Sequence, residues 1–62
     1  MKFEEILVYL KQGKKIRERL WDKEISIQVR DRNLVLLRHD VVLQHVSFRM
    51  TDLYSEDWEI LE

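Results

Sequence analysis

Phe3, Ile6, Leu7 and Leu10 fall at i, i+3, i+4 and i+7, a spacing that predicts one apolar stripe of an amphipathic helix. Glu4 and Glu5 sit in its first turn and Lys11 in its last, the charge order that suits the helix dipole. Lys2 is a poor N-cap, but Gly13, the chain's only glycine, suits the left-handed residue that ends a helix.

From Lys14 the period changes to two. Ile16, Glu18 and Leu20 are expected on one face of a strand, with Lys15, Arg17, Arg19 and Trp21 on the other. Asp22-Lys23 reads as a tight turn, and Ile25, Ile27 and Val29 then alternate with Ser26, Gln28 and Arg30 as in a half-buried antiparallel strand. Asp31-Arg32-Asn33 is the best turn signal, so Leu34 to Leu37 is read as the hairpin partner. After a turn at His39-Asp40, the β-branched stretch Val41 to Arg49 predicts another strand, with Val42, Val46 and Phe48 sharing one face. Thr51 can cap a short helical turn through Tyr54, and Trp58 to Ile60 closes the chain as a short strand.

These elements predict a single domain over residues 1–62 of α+β class: an N-terminal helix packed on a four- or five-stranded antiparallel sheet. Leu34 to Leu37 and Val41 to Leu43 carry apolar residues on both faces, more than one chain is expected to bury, which points to self-association. Size points the same way. A domain of 62 residues without cysteine has no disulfide to support a small core, and an oligomer, a homodimer or homotetramer, is the remaining support.

Charge changes the picture in one respect. With 11 Lys plus Arg against 12 Asp plus Glu the net charge is -1, which argues against general nucleic-acid or membrane-surface binding. Yet Lys14 to Arg38 holds eight cations and four anions, while Asp52 to Glu62 holds five anions and no cation. Either the two segments lie side by side and neutralise each other, or the cations meet an anionic ligand. No apolar run approaches the ~20 residues that span a bilayer, and the acidic start lacks a cleavable signal pattern, so the cytoplasm of the host cell is the expected location.

Candidate chemistry is sparse. His39 and His45 lack metal-ligand spacing, no hydroxyl or carboxylate is arranged with them as a nucleophile pair, and no Gly-rich phosphate cradle is present. Neither an enzyme nor a cofactor or metal is expected. What remains is one cationic and one anionic segment, each carrying a tryptophan: Gly13 to Trp21 and Thr51 to Trp58. A nucleotide site needs a flat aromatic for the base, cations for phosphate and a carboxylate for ribose hydroxyls, which Trp21, Arg17 with Arg19, and Asp57 can supply. Equally, Trp21 can pack in the core or a dimer contact while its arginines pair with neighbouring acids, and Trp58, sharing a face with Ile60, suits core burial.

The two ends also resemble a family. Phe3-x-x-Ile6-Leu7-x-x-Leu10-Lys11-x-Gly13-Lys14-Lys15-Ile16-x-x-x-x-Trp21 is similar to F-x-x-A-L-x-x-L-K-x-G-K-x-V-x-R-x-x-W, and Thr51-Asp52-Leu53-x-x-x-Asp57-Trp58-Glu59 to T-D-L-x-A-x-D-W-E. These are the ends of the second type of Thoeris anti-defence protein, a small phage domain long catalogued without a function. The resemblance implies an oligomeric sponge that sequesters a cyclic nucleotide immune signal, chiefly glycocyclic ADP-ribose and in some relatives cyclic dinucleotides. It further implies that Trp21 stacks on a base, that Asp57 and Trp58 line the same pocket, and that Asp52 positions their segment. The chain departs from the pattern in placing Arg17 four and Arg19 two residues before Trp21, in having Leu20 just before it, and in cutting the family's longer middle to Asp22-Lys23-Glu24. Related sequences act as anti-CRISPR proteins, so the competing expectation is an inhibitor that blocks a host or defence protein, with a plain structural subunit as the third.

Overall fold

The computed structural model describes residues 1–61. Glu62, the last of the C-terminal anions counted above, lies outside the described residues. Helix α1 spans Phe3–Lys11 and buries Ile6 and Leu10, two of the four positions of the apolar stripe, with Phe3 and Leu7 half-buried beside them. The poor N-cap at Lys2 is offset by Glu5, whose Oε1 accepts the Lys2 backbone N–H at 3.2 Å. At the other end Gly13 takes φ +87°, its N–H donating to Leu10 O at 3.0 Å while Lys14 N–H donates to Tyr9 O at 3.1 Å. That paired return of two N–H groups into the last turn is the Schellman closure, and it turns the chain into the sheet.

The sheet follows as β1 (Lys15–Glu18), β2 (Ile25–Arg30), β3 (Asn33–Arg38), β4 (Val41–His45) and, after the short helix α2 (Met50–Tyr54), β5 (Trp58–Leu61). All pairings are antiparallel, in the order β4-β3-β2-β1-β5, so the last strand lies against the first. The α+β fold expected above is thus the fold observed, with five strands. Both tight turns, Asp31-Arg32 and His39-Asp40, have positive φ at their two central residues, the backbone that matches strand twist in a two-residue hairpin. Asn33 already belongs to β3.

Three local readings change. β1 stops at Glu18, and Trp21 N–H closes a turn onto Glu18 O at 3.0 Å, so the two-residue alternation does not run on to Trp21. The Val41 to Arg49 stretch is strand only to His45; beyond it the chain leaves the sheet, and Val46 and Phe48 pack on the core while Val42 stays on exposed β4. Arg49, not Thr51, occupies the N-cap of α2, and Asp52 Oδ2 accepts its N–H at 2.8 Å. The first and third are set by local hydrogen bonds three residues apart, and only the second by packing on the core.

The core lies between α1 and one sheet face: Ile6, Leu10, Ile16, Ile27 and Trp58 are buried together. Register places Ile16 opposite Ile60 and Ile27, and Ile27 opposite Leu36, so these share the helix-side face. The opposite face was expected to leave apolar residues uncovered. Instead Val35 and Leu37 are buried there, opposite Gln28 and Ser26 respectively. Lys15 of β1 pairs across β2 with Asp40 in the β3–β4 turn on this face. The apolar surplus is displaced to the edge, where Val41, Val42 and Leu43 of β4 are exposed.

Candidate functional site

Trp58 stands at the start of β5 and is 1% exposed. Its ring meets three others edge-to-face: Trp21 at a centroid distance of 5.5 Å, Phe48 at 5.8 Å and Phe3 at 6.1 Å. Its indole N–H donates to Asp52 O at 3.0 Å, so the polar corner of the ring is satisfied inside the fold. Trp58 therefore anchors the α2–β5 segment to the core, the role its shared face with Ile60 suggested.

Trp21 is half-buried and lies on the outer side of that cluster, next to Leu20, which is 84% exposed. The turn at residues 19–21 breaks the strand alternation, so Trp21 packs on the helix-side cluster while Arg17, next to the Ile16 position of β1, takes the opposite face. The shared strand face of Trp21 and Arg17 expected from period two is corrected accordingly. Arg17 is held by Glu59, its cross-strand partner, through Nε to Oε1 at 3.0 Å, and by Lys23 O at 2.8 Å. Arg19 instead stays with Trp21's end of the sheet: its N–H donates to Asp57 O at 2.8 Å, and its guanidinium lies 3.7 Å from the Asp57 carboxylate. Side-by-side neutralisation of the cationic and anionic segments is what these two ion pairs display.

Five of the six sequence-derived residues thus converge at one end of the molecule: Trp21, Arg19, Asp57, Trp58 and Asp52. Asp52 contributes through position, capping α2 with its carboxylate and holding Trp58 with its carbonyl. The N-terminal ammonium fixes the same segment, donating to Trp58 O at 2.7 Å and Glu56 O at 3.1 Å, and Trp58 N–H donates back to Met1 O at 3.2 Å. A half-buried aromatic ring, a cation and a carboxylate thus lie at this end, the cation and carboxylate paired with each other.

Two principal hollows lie elsewhere. One, of about 390 Å³, sits between the start of α1 and the end of α2, lined by Phe3, Leu53 and Tyr54 among others. The other, of about 460 Å³, opens on the sheet face away from α1 and includes Lys14, Lys15, Lys23, Ser26, His39 and Asp40. Neither of these two hollows is lined by Trp21 or Trp58. Sequence reasoning missed the larger hollow. Its one legible signal was the i, i+2 pairing of Ser26 with Gln28 on the polar side of β2.

Among the described residues no group of three or more His, Cys, Asp or Glu is placed to hold a metal ion, and no helix is long and apolar enough to cross a membrane. No curated protein and no solved structure shows significant similarity to the chain. The Thoeris anti-defense 2-like domain family, by contrast, matches residues 1–61, the whole described length including both tryptophan-bearing segments. The chain belongs to the Thoeris anti-defense 2-like (Tad2-like) domain family.

Proposed function

We propose that this phage anti-defence domain acts without catalysis, sequestering a cyclic nucleotide immune signal, glycocyclic ADP-ribose or a cyclic dinucleotide, in an oligomer within the host cytoplasm. The observation that carries the reading is the half-buried Trp21 ring seated on Trp58 with the Arg19–Asp57 pair beside it. Trp21 stacks on a base, Arg19 meets phosphate, and Asp57 accepts ribose hydroxyls. Trp58 and Asp52 hold that surface rigid, and Arg17, tied to Glu59 behind the sheet, fixes the strand that presents it. A preorganised surface binds more tightly because less ordering entropy is lost on association.

Neither of the two hollows includes Trp21, and in this reading a second copy supplies the wall opposite its ring. Self-association has support in the unequal treatment of the two sheet edges. Met1 pairs with Trp58 in both directions and covers the start of the β5 edge. The β4 edge has no pairing strand among the described residues, and it carries Val41, Val42 and Leu43 exposed, with no Lys, Glu or Pro to deter pairing.

Calorimetric titration with glycocyclic ADP-ribose and with cyclic dinucleotides tests the reading, followed by heat release of the ligand and its chemical analysis. Saturable binding with intact ligand recovered supports it; absence of binding to every one of them removes it. The exposed β4 edge also favours a second reading, an anti-CRISPR-like inhibitor that adds its edge strand to a host or defence protein. A stoichiometric protein partner that is retained by Trp21→Ala supports that inhibitor reading over the sponge.

A further inference from the structure

The hollow on the sheet face away from α1 lies apart from the tryptophan cluster and is built of different residues. Its walls are braced by internal pairs. Gln28 is engaged at both ends of its amide, Nε2 donating to Gly13 O at 2.6 Å and Oε1 accepting from Arg30 Nε at 2.8 Å, which ties the loop after α1 to β2. The Asp22–Glu24 turn is held by Arg17, which donates to Lys23 O at 2.8 Å, and by Asp22 Oδ1, which accepts Glu24 N–H at 3.0 Å. His39 N–H donates to Glu24 O at 3.2 Å, joining that turn to the β3–β4 turn.

The charges that line this hollow are unequally committed. Asp40 is matched by Lys15, and Glu24 Oε1 lies 3.2 Å from His39 Nε2. Lys14 and Lys23 line the same hollow and, among the described residues, neither has a carboxylate within 4.0 Å. Ser26, 5% exposed, lines the same hollow and carries a hydroxyl that can donate. Two flexible ammonium groups without a carboxylate partner among the described residues, lining one hollow with a serine hydroxyl, suit an oxyanion.

The geometry points to a second, tetrahedral-oxyanion site in this hollow, with Lys14 and Lys23 as the charged ligands and Ser26 as the hydroxyl donor, taking phosphate or a terminal phosphate group. It does not depend on the cyclic-nucleotide reading, because none of its residues belongs to the tryptophan cluster. Lysine acts at such a site as a mobile point charge, so binding through both side chains weakens with salt.

Titration of the full chain with inorganic phosphate at constant ionic strength, followed by amide chemical shifts, is the test. The expected result is a saturable shift confined to residues 13–15, 23–26 and 39–40, weakened about tenfold for each of Lys14→Gln and Lys23→Gln. Arg32→Gln, in the distant β2–β3 turn, and Trp21→Ala leave it unchanged. Non-saturating shifts, shifts spread over all surface cations, or equal binding by the double Lys14→Gln/Lys23→Gln variant overturn the site. So does adenosine monophosphate binding at these residues where inorganic phosphate does not, since that would assign the hollow to a nucleoside.

Discussion

The Trp21 indole stands at 78° to that of Trp58, with ring centroids 5.5 Å apart, so one tryptophan forms the outer surface of the aromatic cluster and the other its buried centre. The division follows from position. Trp58 begins a strand that pairs with β1, whereas Trp21 follows a turn that has left the sheet. Edge-to-face contact stabilises both rings, but only Trp21 has a partly free face.

Replacing the two rings should therefore separate stability from binding. Trp58→Ala removes a fully buried indole and should cost about 3–5 kcal/mol. A chain of this size has only about 3–9 kcal/mol in total, so the variant should be largely unfolded by circular dichroism. Trp21→Ala should cost about 1–2 kcal/mol, remain folded and lose cyclic-nucleotide binding. If Trp21→Ala unfolds as completely as Trp58→Ala, Trp21 belongs to the core and its proposed stacking role is wrong.

Gly13→Ala isolates a backbone effect. Nothing lies within 4 Å of a Cβ built there, so no clash is introduced, but the residue sits at φ +87°. Left-handed strain should cost about 1 kcal/mol, a fall in melting temperature of about 4–8 °C for so small a domain. A melting temperature equal to the parent's would show that the Schellman closure re-forms without a left-handed residue.

The two ion pairs at the β1–β5 seam should contribute unequally. Arg17 is mostly buried against Glu59 and has a second bond to Lys23 O, whereas Arg19 and Asp57 are both well exposed at 3.7 Å. Double-mutant cycles by denaturant unfolding should give a coupling of about 0.5–1 kcal/mol for Arg17–Glu59 and close to zero for Arg19–Asp57. Comparable couplings, both abolished by salt, would mean that the partial burial of Arg17 has no energetic consequence.

Leu43→Lys places a charge on the open β4 edge at a side chain that is already exposed, so the folded chain should tolerate it within about 0.5 kcal/mol. Sedimentation velocity should show the parent as an oligomer and the variant shifted toward the monomer. An assembly that survives the lysine unchanged would place the subunit contact somewhere other than β4.

Much of the fold was legible because its cues are local. The stripe from Phe3 to Leu10 with Gly13 beyond it specifies α1 and its closure, the Ile25–Val29 alternation specifies β2, and the polar pairs Asp31-Arg32 and His39-Asp40 specify the turns. The family motifs were legible too, as residues in order at fixed separations. The candidate site was legible in its members but not in its arrangement. Arg17 and Trp21 look like one face of a continuous strand until the turn onto Glu18 parts them. The hollow around Lys14 and Lys23 gave almost no sign, because its walls come from turns and strands far apart in sequence.

Periodicity, capping and charge order, all acting within a few residues, were enough to determine the helix, the hairpins and the α+β class of this chain. The tertiary structure decided where β4 stops, that β5 returns to β1, that Val35 and Leu37 are buried, and that Trp58 rather than Trp21 is sealed. The reason is physical: a strand's end and a side chain's exposure depend on which distant segment supplies the opposing hydrogen bonds and apolar surface. Here that segment is Met1 and the aromatic cluster at one end, and the Lys15–Asp40 pair across the sheet at the other.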